Sequence, residues 1–98
     1  MTFYDREGRR VTLREWVILS SDHSYFRVAA DIENGWLIST VYTGIAIAGT
    51  PPLIFETMIF TPDGEIVYQE RYPTEAAALG GHDQAISWAR DQIRKRKQ

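Results

Sequence analysis

"YFRVAADIENGWLISTVYTGIAI", residues 25–47, sets the fold. In its first half Phe26, Val28, Ala30 and Ile32 fall on every second position, the period of a half-buried strand. Asn34-Gly35 interrupts the run, and both residue types tolerate the positive φ angles of a tight hairpin turn. "WLISTVYTGIAI" (36–47) reads as the return strand, and Pro51 and Pro52 stop the pairing by removing backbone donors. "LIFETMIF" (53–60) is a third strand. "TPDG" (61–64) fits a type I turn, with Pro62 second and Gly64 fourth. "EIVYQERY" (65–72) is the fourth strand, and "TFY" near the N-terminus is a short edge strand.

Two helices flank this meander. Thr12 followed by Glu15 makes a capping box, and Leu13, Trp16 and Val17 recur at helical spacing to give an apolar stripe. Pro73 ends the last strand, and Thr74 with Glu75 starts a long C-terminal helix. The expected fold is α+β: a four- to five-stranded antiparallel sheet with a short N-terminal helix and a long C-terminal helix packed on one face. Neither side of "LIFETMIF", Ile54/Glu56/Met58/Phe60 or Leu53/Phe55/Thr57/Ile59, is polar enough for water. The second sheet face is therefore expected to be covered, either by the short N-terminal elements or by a partner, with homodimerisation through the sheet the preferred reading.

Ninety-eight residues make one domain with one small core, and a chain this short buries roughly 60–70% of its unfolded surface. The domain is read as residues 1–93, with 94–98 as a basic tail. Residues 1–93 hold seven cationic and thirteen acidic side chains, net −6. That balance argues against a nucleic-acid surface. Arg94, Lys95, Arg96 and Lys97 form the only basic cluster, read as a solvated helix end that frays in water. The chain has no cysteine, which suits a reducing cytoplasm. Its start is polar and no apolar run approaches the ~18 residues of a membrane span, so no membrane association is expected.

The C-terminal helix carries the chemistry. Leu79, His82, Ile86, Ala89 and Ile93 are spaced 3, 4, 3 and 4, a seam of core positions that includes an imidazole. Gly80 and Gly81 flank that seam, each about 1 kcal/mol less favourable than alanine, and glycine there lets backbone lie directly on a strand. A buried imidazole needs partners on both nitrogens. Glu56, an acid inside an apolar strand, is the expected partner, with Ser39, Thr40 and Thr57 nearby. Such a pair is a structural clamp in the first reading and the core of a small hydrolase in the second. A third reading is a nucleotide-like small-molecule sponge at a dimer seam, lined by Trp36, Tyr42 and Tyr68 with Arg27 or Arg71. No metal site is expected from two distant histidines and no cysteine, and no cofactor is expected. His23 lies in a polar loop, and Asp31 and Glu33 read as turn chemistry.

The blocks "TLREW", "YFRVA", "WLISTVYTG", "PPLIFETMIF" and "ERYPTEAAALGGH" span nearly the whole chain. They resemble a family of small proteins encoded by phages, prophages and actinobacterial genomes, with VSTV, PPLIFETMVF, RYxT and AxxGH blocks. The matching positions are Trp16, Ser39, Thr40, Val41, Gly44, Pro52, Phe55, Glu56, Thr57, Met58, Phe60, Arg71, Tyr72, Thr74, Gly81 and His82. Relatives read Leu-Asp-His where this chain has Ile45-Ala46-Ile47. Any reaction that needs that Asp-His pair is closed to this chain. The resemblance supplies context rather than mechanism. The apolar second sheet face with the missing catalytic constellation points to a non-catalytic binding protein, expected in the host-cell cytoplasm. It would act stoichiometrically on a host protein, including inhibition of host defence. The expected binding residues are Ser39, Thr40, Tyr42, Glu56, Arg71, Tyr72 and His82, with Glu56 and His82 the catalytic candidates.

Overall fold

A computed structural model describes residues 1–46 and 49–97. The strands are β1 (Thr2–Tyr4), β2 (Arg10–Val11), β3 (Arg27–Glu33), β4 (Trp36–Tyr42), β5 (Ile45–Ala46), β6 (Phe55–Phe60) and β7 (Ile66–Tyr72). The helices are α1 (Leu13–Ser21), α2 (His23–Phe26) and α3 (Glu75–Arg96). The main sheet is four-stranded and antiparallel in the order β3-β4-β6-β7, and α3 crosses all four strands on one face. A second, three-stranded sheet runs β2-β1-β5. The molecule is elongated, 50 × 25 × 19 Å.

The expected α+β architecture holds, with one rearrangement. The return strand of the hairpin does not continue to residue 47. It breaks after Tyr42, and β5 leaves to pair with β1. Gly44 makes the break: its φ is +68°, and a Cβ there would collide with the Tyr42 ring and Trp16. Ile47, the last residue of the expected strand, lies outside the described residues. The two turns form as their residues require. Asn34 and Gly35 take φ of 51° and 83°. The Gly64 N–H donates to the Thr61 carbonyl at 2.8 Å and closes the 61–64 turn.

Helix α1 starts with the reciprocal capping box between Thr12 and Glu15. Its covered side is not the Leu13/Val17 stripe, since both residues are exposed. Trp16 and Leu19, three apart, pack inward instead. The Trp16 indole N–H also donates to the Thr43 carbonyl at 2.9 Å. With no fully buried residue, α1 depends on its cap. Thr12→Ala is expected to cost about 1 kcal/mol and to raise amide exchange across residues 13–21 while leaving β3–β7 protected.

The buried positions of α3 are Ala78, Gly81, His82, Ala85 and Ala89. Leu79 is exposed, which corrects the expected seam by one position. Small residues let the helix lie close on the sheet, and Ile86 and Ile93 pack along its flank. Gly81 is the close approach, because a Cβ there would clash with the phenol end of Tyr72. Gly80 faces open space, and nothing in the structure explains it. Arg94–Arg96 form the last turn of α3 and Lys97 caps it.

The core is one layer under α3, divided in two. Trp36, Ile38, Ile59, Ala85 and Ala89 form one apolar cluster, and Tyr42, Ile54, Phe55 and Ala78 form the other. Between them, along each of β4, β6 and α3, stands a polar residue: Thr40, Thr57 and His82.

Candidate functional site

That polar layer is a continuous hydrogen-bonded chain. Thr57 Oγ1 lies 2.6 Å from Thr40 Oγ1, and Thr40 Oγ1 lies 2.6 Å from His82 Nδ1. His82 Nε2 lies 2.7 Å from Asp31 Oδ2. An ionised carboxylate only accepts, so Nε2 carries the proton toward Asp31. In the neutral imidazole, Nδ1 then accepts from Thr40, which in turn accepts from Thr57. Cross-strand register brings the set together: Thr40 sits opposite Ala29 and Thr57, and Asp31 is opposite Ile38 on the same side of the sheet.

Carboxylate, imidazole and hydroxyl in that order is the arrangement of an activated nucleophile. Thr40 and Thr57 are fully buried beneath α3, however, so no substrate carbonyl reaches either hydroxyl. Only the Asp31 carboxylate meets water, being 50% exposed. The chain therefore works as a clamp. It fixes α3 on the sheet at one position along its length, since a slide would strand polar groups in either apolar cluster.

Glu56 takes no part in it. Its strand neighbours Phe55 and Thr57 both point under the helix, so alternation sends Glu56 to the other side. There its Oε2 accepts from Gln69 Nε2 at 2.8 Å and Arg71 Nε at 3.0 Å. The expected Glu56–His82 pair is thus corrected: His82 bonds Thr40 and Asp31, and Glu56 bonds Gln69 and Arg71. The expected binding set divides by sheet face. Thr40, Tyr42, Tyr72 and His82 lie under the helix, whereas Ser39, Glu56 and Arg71 lie on the open side. Burial pushes the hydroxyls of Tyr42 and Tyr72 up to about 12, so neither supplies a phenolate near neutral pH.

The aromatic and arginine set of the sponge reading does not converge either. Trp36 is buried, with the Arg96 guanidinium 4.8 Å from its ring centre. Tyr42 lies edge-on to Tyr25 and Phe55, and Tyr68 packs on Trp88. Arg27 and Arg71 stand on opposite edge strands, three strand spacings or roughly 14 Å apart.

The open face is what the fold offers to a partner. Register arranges it in rows across the four strands. One row is apolar: Ile32, Leu37, Phe60 and Ile66, with Ile32 73% and Ile66 50% exposed. The next is Ala30, Ser39, Met58 and Gln69. The third carries three charges around Val41: Arg27, Glu56 and Arg71. Beside it a hollow of about 330 Å³ is lined by Met1, Thr43, Ile45 and Arg71. Asp31 and Glu33, read from sequence as turn residues, instead bond His82 and Arg90 from the closed face.

Among the described residues no three histidine, aspartate or glutamate side chains gather as metal ligands, and no helix is long and apolar enough to cross a membrane. No family model, no curated protein and no solved structure matches the chain.

Proposed function

We propose that this chain is a non-catalytic binding protein of the phage and prophage type its sequence blocks resemble. It acts by stoichiometric contact with a host protein, and the contact surface is the open sheet face. One observation carries the reading. The Ile32–Leu37–Phe60–Ile66 row shares the face opposite α3 with a row of three charged residues. An apolar core with a polar margin is the anatomy of a protein interface. The Asp31–His82–Thr40–Thr57 chain lies on the other side, with both hydroxyls buried, and its part in this reading is to dock the helix.

Leu37→Lys tests the reading, because Leu37 is already 38% exposed and the long lysine stem can reach water. The variant is expected to melt close to the wild type. It should lose capture of a host-lysate protein that the wild type retains at a one-to-one ratio. Equal capture by both, or none by the wild type, contradicts the reading. A mass in solution of two chains that falls to one in the variant would assign the face to a second copy instead.

A further inference from the structure

At the far end of α3 a cleft of about 560 Å³ opens between the helix and the tip of the β3–β4 hairpin. Its walls are Glu33, Asn34, Arg90, Ile93, Arg94 and Lys97. Arg90, Arg94 and Lys97 are spaced 4 and 3, so one helix face turns three cations into it. Glu33 is answered by Arg90, whose Nε lies 3.0 Å from its Oε1. Asp91 is answered twice, by Arg94 at 2.7 Å and Lys95 at 3.2 Å. Lys97 has no ion-pair partner among the described residues. Residues 1–89 hold six cationic and twelve acidic side chains, net −6, whereas residues 90–98 hold five and one, net +4. The molecule therefore presents one positive end. The helix C-terminus opposes an anion with roughly half a charge, less than the cations supply. Ile93 gives the cleft an apolar wall, and its volume falls in the range of small-ligand sites.

We propose that this cleft binds a small organic phosphate, with the phosphate held by Arg94 and Lys97 and the body of the ligand against Ile93. A guanidinium presents paired donors that match a phosphate's oxygens, and a neighbouring ammonium adds charge. The site stands apart from the open sheet face and does not depend on that face having a partner.

Calorimetric titration of the full chain at low salt tests it, with ADP, pyrophosphate and adenosine as probes. ADP should saturate, pyrophosphate should bind more weakly, and adenosine should not bind. Arg94→Gln should weaken ADP about tenfold. Arg14→Gln removes the same charge from exposed α1 and should change it less than about twofold. Arg94 is 70% exposed, so its loss leaves the fold intact. The proposal is overturned if ADP shows no saturation below about 1 mM, or if Arg14→Gln weakens binding as much as Arg94→Gln.

Discussion

Replacing His82 with alanine is expected to remove about 3 kcal/mol of stability and to lower the melting temperature by more than about 10 °C. Three losses combine. The imidazole fills the space between the two apolar clusters, so its removal leaves a cavity against Ala78, Ala85 and the strands. The Thr40 hydroxyl loses its acceptor in a sealed layer. Asp31 loses its bond to the helix, one of two hydrogen-bonded side-chain ties between β3 and α3 among the described residues. By contrast, Glu56→Gln acts on the other face, where the amide oxygen can still accept from Gln69 and Arg71, and is expected to cost less than His82→Ala. Thermal melts of the two variants side by side check the contrast. A His82→Ala protein as stable as wild type would mean that the buried chain contributes nothing to docking the helix.

The adjacent glycines give the second large effect, and its sign reverses within one residue. Gly81→Ala is expected to destabilise by about 2 kcal/mol, because the new methyl must displace the Tyr72 ring. Gly80→Ala is expected to stabilise by about 1 kcal/mol, because nothing lies within reach and alanine is the better helix former. Denaturant midpoints measured on both variants should move in opposite directions. If both rise, the helix does not rest on Tyr72 as described.

The hairpin and the starts of α1 and α3 can be read directly, because Asn34-Gly35, Thr12 and Thr74 act through their own backbone neighbourhood, whereas the short α2 falls where the sequence reads as a polar loop. The departure of β5 cannot be read this way. It follows from Gly44 meeting Tyr42 and Trp16, a contact between parts distant in sequence. Hydropathy alone sets the seam of α3 one residue off at Leu79, because leucine carries the stronger signal. Close approach to the sheet instead selects the small residues Ala78, Gly81, Ala85 and Ala89. Alternation in "FETMIF" separates Glu56 from Thr57, but only the docking of α3 decides which of them meets His82. The Asp31 partner needed both the strand register and that docking. Its usable hint was a carboxylate among residues otherwise suited to a strand.

The most direct measurement is a double-mutant cycle that pairs His82→Ala first with Asp31→Ala and then with Glu56→Ala. A clamp built from Asp31, His82, Thr40 and Thr57 predicts a coupling of about 1 kcal/mol or more for the first pair and less than about 0.5 kcal/mol for the second. Coupling between His82 and Glu56, with none to Asp31, would place the carboxylate under the helix and contradict the two-faced sheet on which the functional reading stands.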